Sequence, residues 1–236
     1  MFFLYSSNRT ERLLQRLFDI IEADPPGLFY TERFLVQNRG MERMLCQALA
    51  EQFGVWGNSS FFLPLEFIDF LAETSAISGD AGGYEREVLT WRLEHHLRNS
   101  SEHPDLADLT RYLDTARSGI KRYQLARRLA DLFDQYQIMR PDYLRAWEQE
   151  KTVVGNGAER WQSCLWRLLR RELPDGMDRG TLLQTISRGL ADSRQLLPQR
   201  LFVFGVHTAA PLFFDLLKTY ARISTVYFFL LSPCRI

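Results

Sequence analysis

The sequence predicts an α/β fold in which both ends of the chain supply parallel strands and the long middle is helical. Three observations carry this. Short, almost wholly apolar runs stand near the two ends, at residues 34–36, 201–206 and 224–231. Helical periodicity follows the first run and separates the other two, and strand–helix–strand with such apolar strands indicates a parallel sheet covered on both faces. From about residue 64 to 196 the apolar spacing is that of helices, with no convincing strand.

The elements follow in order. Phe2 to Tyr5 is a short aromatic and apolar run. Ser7 and Asn8 then offer an N-cap to an amphipathic helix over about residues 9–21, with Leu13, Leu14, Leu17 and Phe18 at helical spacing. Asp24-Pro25-Pro26-Gly27 ends it. The strand at 34–36 runs through Gln37-Asn38-Arg39-Gly40 into a helix carrying Met41, Met44, Leu45, Ala48 and Leu49. Helices are predicted at 85–98, 104–114, 120–138, 142–150, 158–173 and 180–191. Turn chemistry separates them at residues 78–83, 117–119, 140–142 and 155–157. After the strand at 201–206 and a loop at 207–210, Pro211 opens a helix to about Tyr220, and the last strand follows. The simplest organisation is an α/β domain built from residues 1–63 and 197–236, with an all-helical domain, 64–196, inserted into it.

A chain of 236 residues, 46% apolar and 25% charged, is ordinary for one large or two smaller globular domains. Lys+Arg and Asp+Glu both number 29, which excludes a uniformly basic, histone-like nucleic-acid binder but not binding in a local groove. Only three of the basic residues are lysines (Lys121, Lys151, Lys218), against 26 arginines. Arginine's planar fork suits phosphate, base edges and carboxylate, although high genomic GC content gives the same bias. The charge is uneven: residues 64–114 hold eleven acids against four arginines, 118–145 six basic residues against three acids, and 158–200 eight arginines against five acids. Charge asymmetry of this kind also occurs on ordinary solvated faces.

Cys46, Cys164 and Cys234 are odd in number and far apart, which favours buried reduced thiols over disulfides or a zinc site. The opening MFFLYSSNRTER is too short in its apolar run for a signal peptide, and no stretch approaches a membrane span. A soluble cytoplasmic protein with no membrane partner is expected.

Several constellations are candidates for chemistry. The turn Gln37-Asn38-Arg39-Gly40-Met41-Glu42-Arg43 occupies the strand-to-helix position of a phosphate loop, but it has one glycine, no lysine and an acid that repels phosphate. ATP hydrolysis there is not expected, and an ordinary β–α turn is the plain structural reading. Asp131 and Asp134 lie three apart on a strongly helical run, so both carboxylates share a face. They lack further ligands for a metal. They read either as a solvated face answered by Arg127, Arg128 or Arg140, or as acceptors for exposed base amino groups. His95-His96 reads as a surface pair on different faces of a helix. His207 ends a strand where α/β proteins place ligand sites, but no catalytic partner accompanies it. Phe61, Phe62, Phe67 and Phe70 suit core or interdomain packing, with base stacking as the alternative.

The order Tyr5-x-Ser7-Asn8-Arg9, Leu35-Val36-Gln37-x-x-Gly40-Met41, Phe62-Leu63-Pro64, Ala130-Asp131-Leu132-Phe133-Asp134-Gln135-Tyr136 with Arg140-Pro141-Asp142, Leu201-Phe202-Val203-Phe204-Gly205 and Pro233-Cys234-Arg235 resembles the amino-terminal part of RecC, the gamma subunit of exodeoxyribonuclease V. The DLFDQY…RPD stretch is the specific part, and known members of the family are far longer. The resemblance implies a superfamily 1 helicase-like fold with decayed ATPase motifs. It also implies a non-catalytic, cofactor-free subunit that works with RecB-like and RecD-like partners in double-strand break repair. Such a subunit splits duplex DNA at a fork, guides one strand and reads the Chi hotspot as single strand.

Carried over position by position, the resemblance assigns DNA contact to Gln37, Leu63, Asp131, Leu132, Asp134 and Arg140, with Arg179 in Met177-Asp178-Arg179-Gly180 the looser alignment. Arg39 and Arg43 stand where the family has smaller or neutral residues, adding charge for phosphate contact at the expense of base readout. Asp69 stands where an aromatic residue is expected. The rival readings are an ATP-driven helicase or nuclease, whose Walker lysine or acidic triad is not evident, and a protein-interaction module that packs against partner helicase subunits without reading bases.

Overall fold

The structure is a computed structural model that describes residues 1–27, 29–75, 82–114, 118–190 and 197–233. The predicted turns at 78–83 and 117–119 fall partly, and Cys234 and Arg235 wholly, outside the described residues. By its internal contacts the chain forms two compact units, one of Met1–Ser78 with Thr185–Ile236 and one of Gly79–Gln184.

The first unit begins with β1 (Phe2–Ser7), α1 (Thr10–Ala23), β2 (Glu32–Val36), α2 (Arg39–Phe53), β3 (Ser59–Phe62) and α3 (Pro64–Thr74). The second holds α4 (Arg86–Arg98), α5 (Ala107–Leu113), α6 (Ser118–Met139), α7 (Pro141–Glu148) and α8 (Gly157–Glu172), and α9 (Arg179–Gly189) starts within it. The first unit then finishes with β4 (Arg200–Phe204), α10 (Pro211–Tyr220) and β5 (Thr225–Leu231).

The five strands described are all parallel and run in the order β1-β5-β4-β2-β3, so the two carboxyl-terminal strands sit between β1 and β2. Alternate residues face opposite layers. Phe34, Val36, Phe202, Phe204 and Phe229 join Leu13 and Leu17 of α1 and Leu45 and Leu49 of α2 in one core. Phe228 meets Phe214 of α10 on the other face, where Phe67 of α3 also touches Tyr220. Right-handed crossovers give this arrangement: chain movement towards β3 puts α1 and α2 on one face, and the reverse step from β4 to β5 puts α10 on the other. The direction therefore reverses between neighbours β2 and β4, the switch point where open α/β sheets place their ligands.

Sequence reading missed three elements of this unit. β1 is an edge strand whose Phe2 and Leu4 stay exposed, so its pattern lacks the buried alternation of the others. β3 is four residues long and starts with two serines. α3 opens at Pro64, a favourable first helical residue that also reads as a breaker, and its apolar residues surround the helix axis. The cap expected from Ser7 and Asn8 is also different. Ser7 is still paired in β1 with Leu231, its hydroxyl accepts from Arg9 N at 3.1 Å, and Arg9 precedes the helix with no side-chain cap.

A buried ion pair fixes the amino ends of the central strands. Arg200 Nε lies 3.0 Å from both carboxylate oxygens of fully buried Glu32, and its Nη1 reaches Asp24 Oδ2 at 3.0 Å. In the second unit, α6 buries Ala126, Leu129, Ala130, Phe133 and Gln137 along one face, against Trp147, Leu165, Trp166 and the leucines of α4. Predicted helix 104–114 is a 3₁₀ turn, Pro104–Leu106, followed by α5.

Candidate nucleic-acid interface

In the sheet unit, the candidate residues gather at the carboxyl end of β2. Asn38 takes an extended conformation before α2, and its Oδ1 accepts from Met41 N at 2.9 Å. The turn thus caps its own helix with a side chain, and Glu42 lies in the first helical turn. Gln37 Oε1 accepts from the backbone N–H of His207 at 2.9 Å, which bridges β2 and the loop after β4 across the switch point. The Gln37 amide nitrogen keeps no partner among the described residues, so this side chain is left as a donor. Beside it, Gly205 has φ +69, and a Cβ there would stand 2.7 Å from the Met41 terminal methyl. His207 is thus part of this corner through its backbone.

Arg39 is exposed but committed. Its guanidinium pairs with Glu42 at 2.7 Å and with Glu66 of α3, and the Glu42 hydrogen bond raises its already high proton affinity. Two carboxylates offset the charge that the sequence offered to phosphate. Arg43, one turn on, is exposed with no ion pair among the described residues. Leu63 is half-buried against the sheet core, and its N–H donates to Glu66 Oε2 at 2.9 Å, so it serves the start of α3. The nearby aromatics are also engaged. Phe61 stacks on Phe34 at 4.8 Å, Phe62, Phe67 and Phe70 meet in one cluster, and Arg33 lies over Phe62 and Phe70.

In the helical unit, Asp131 and Asp134 do share a face of α6, but their partners are not those the sequence nominated. Asp131 Oδ1 meets Arg86 Nε at 2.8 Å and Asp134 Oδ1 meets Arg179 Nη1 at 2.8 Å. Arginines on other helices answer them because α6 turns this stripe towards α4 and α9. Arg140, the last of the three expected partners, turns away to donate to Tyr143 OH at 2.8 Å and lies over that ring. Each aspartate therefore commits one oxygen to an arginine, and among the described residues the other has no ion-pair partner.

Burial raises the Asp134 carboxyl above its usual range, and Arg179 and Arg86 oppose that shift. Leu132 is half-buried against the helical core. Arg179 is held further by its backbone N–H, which donates to Gln137 Oε1 at 3.0 Å, while buried Gln137 donates to Tyr84 O at 3.1 Å. Gly180 makes this approach feasible, since a Cβ there would fall 2.4 Å from Gln137 O.

His96 corrects another expectation. It is mostly buried, its Nε2 lies 2.7 Å from Glu172 Oε1, and burial lowers its pKa. His95 alone faces solvent. Cys164 is buried and Cys46 half-buried, and burial raises both thiol pKa values. No helix among the described residues is long and apolar enough to cross a membrane.

Fold and site together define an α/β protein with a five-stranded parallel sheet and a separate helical unit that displays arginine-held carboxylates. Within that class, residues 2–236 match the family described as RecC, N-terminal domain, and the chain belongs to it. The chain is 30% identical over 244 residues to the RecBCD enzyme subunit RecC of Escherichia coli (strain K12), covering 98% of this chain and 22% of that protein. It is 26% identical over 264 residues to the subunit from Haemophilus influenzae, covering 100% and 24%, and 31% identical over 219 residues to that from Mycolicibacterium smegmatis, covering 88% and 19%. The chain spans about a quarter or less of the length of these curated relatives.

Proposed function

We propose that the chain is the amino-terminal, non-catalytic part of a RecBCD-type subunit, which works in the cytoplasm with RecB-like and RecD-like partners in double-strand break repair. In this reading it is a superfamily 1 helicase-like α/β domain into which a helical domain is inserted. The expected boundaries at 64 and 196 move inward, because the compact units are residues 1–78 with 185–236 and residues 79–184, which leaves α3 with the sheet. It guides single-stranded DNA from a fork and reads the Chi hotspot.

The carrying observation is the Asp131–Asp134 stripe: two neighbouring, partly exposed carboxylates are oriented through one oxygen each by separate arginines, and in this reading the second oxygens accept from base amino groups. In the sheet unit, Gln37 separately offers an amide donor. At the switch point, Asn38 already caps the helix that would bind a nucleotide phosphate, which agrees with a role other than ATP hydrolysis.

Single-stranded oligonucleotide binding measured against salt tests the reading. Measurable affinity that falls with salt is expected, and no affinity at low salt would overturn it. In a full-length subunit assembled with its partners, Asp134→Ala should change hotspot recognition and spare unwinding. Equal loss of both would assign Asp134 a structural role.

A second reading has its own observation. β1 is an open sheet edge with Met1, Phe2 and Leu4 exposed, as expected of a protein-interaction module that packs against partner subunits. Under that reading, Leu4→Lys would weaken assembly and leave oligonucleotide binding intact.

A further inference from the structure

The seam between α4 and α6 carries a feature that none of the family motifs includes. Trp91 of α4 is 66% exposed and Tyr123 of α6 40% exposed, though both sit within helices whose other faces are buried. Their ring centroids lie 5.5 Å apart with the planes inclined by 44°, so neither ring covers the other's face. A lone exposed aromatic is ordinary on a soluble protein. Here the pair borders a surface depression of about 320 Å³ lined by Arg86, Glu87, Thr90, Trp91, Tyr123 and Arg127. Arg127 is exposed and has no ion pair among the described residues, whereas Arg86 is held by Asp131.

The register of α6 links this depression to the carboxylates. Tyr123, Arg127, Asp131 and Asp134 follow at intervals of four, four and three residues, which puts them in one stripe along the helix. At 1.5 Å per residue, Tyr123 precedes Asp131 by about 12 Å along the axis, with Arg127 midway. Aromatic faces, a free guanidinium and carboxylate acceptors thus follow one another along one line.

We propose that Trp91 and Tyr123, with Arg127 beside them, form a base-stacking step for single-stranded DNA that continues the Asp131–Asp134 stripe. The step rests on the DNA-binding reading above and adds to it the residues that hold a strand next to the carboxylates. Stacking on aromatic side chains tolerates any base, because every base has a π-face. Arg127 supplies a donor to the backbone phosphate next to a stacked base. Glu87 on the same rim, with Asp131 and Asp134 further along, repels phosphates, so the seam suits a strand that turns its bases inward and is poor as a general polyanion surface.

The 236-residue chain tests this with an oligothymidylate carrying 5-iododeoxyuridine. Irradiation should cross-link the base to Trp91 or Tyr123, as located by mass spectrometry. Trp91→Ala and Tyr123→Ala should each weaken binding of the single strand about tenfold, the loss of roughly one stacked base. Trp91→Phe should retain most of the affinity. Unchanged affinity in both alanine variants, with cross-links only elsewhere, overturns the stacking step and leaves the DNA-binding reading standing. No binding by the unaltered chain at low salt overturns both. If Trp91→Phe loses as much as Trp91→Ala and the thermal midpoint falls in step, the ring is structural and the proposal fails. Loss of assembly with RecB-type partners, with DNA binding intact, would make the seam a protein interface and equally overturn it.

Discussion

The turn after β2 and the outer stripe of α6 both carry polar residues of the family's motifs, yet the fold uses them differently. At the turn, Gln37 ties two strands' loops together, Asn38 caps a helix and Arg39 is bound to Glu42 and Glu66. Among the described residues, Arg43 makes no ion pair there. On α6, each aspartate is oriented through one oxygen by an arginine of another helix, while Phe133 between them fills the core. The turn is a structural joint with one residual donor and one free cation. The stripe holds partly exposed carboxylates against neighbouring helices. A charge counted in the sequence becomes binding capacity only where no neighbour has already taken it.

The largest effects should come from removing buried charge, and they separate the two units. Glu32→Ala leaves the buried Arg200 with only the exposed Asp24 as its counterion and should cost about 3 kcal/mol, read by denaturant unfolding, with the loss in the sheet unit. Glu159 is the counterpart in the helical unit. Its carboxylate accepts from the N–H groups of Val153, Val154 and Gly155 at 2.6, 2.8 and 2.6 Å and from Trp147 Nε1 at 2.8 Å. These bonds hold its pKa down at about 2. Glu159→Ala leaves several donors unsatisfied and should cost at least about 3 kcal/mol. Hydrogen exchange would show which unit opens in each variant. Equal loosening of both units by either change would remove the distinction between them.

Acid should reveal the same carboxylate. Glu159 has a folded pKa below the ordinary 4.5, so its stabilisation is complete above about pH 4.5 and is lost as pH falls towards about 2. Asp134 has the opposite sign. Its folded pKa is raised above 3.8, so its ionisation makes stability fall as pH rises through the window just above 3.8. Glu159→Gln should flatten the acid limb of a stability–pH profile, and Asp134→Asn should not. A flattened limb in the Asp134 variant alone would reverse this assignment.

Gly180→Ala comes next, because the Cβ meets the backbone oxygen of Gln137 and α9 must shift. About 1–3 kcal/mol of destabilisation is expected, together with weaker oligonucleotide binding as Arg179 moves from Asp134. Unchanged stability would show that the α6–α9 approach is soft. The smallest effect belongs to Arg43→Ala. Stability should stay within about 0.5 kcal/mol, and the salt slope of DNA binding should fall by roughly one phosphate contact. A larger drop in slope for Arg39→Ala than for Arg43→Ala would mean that Glu42 and Glu66 release Arg39 when DNA binds.

Sequence by itself determined the α/β class, most helices of the middle, and the three parallel strands read at 34–36, 201–206 and 224–231, which the structure places at 32–36, 200–204 and 225–231. Local apolar periodicity encodes those elements, and a run buried on both faces needs no distant information to be recognised. The motif around Asp131 and Asp134 was legible for the same reason: helical spacing alone puts both on one face. Tertiary structure decided who pairs with whom. Arg86 and Arg179, rather than the arginines of α6 itself, hold the carboxylates; Glu66 takes Arg39; and His207 meets Gln37 from 170 residues away. It also decided the edge position of β1 and the meeting of Trp91 with Tyr123. Those outcomes depend on the crossing of helices and the order of strands. No period in a single segment encodes either, because the groups that meet are brought together only when the chain folds.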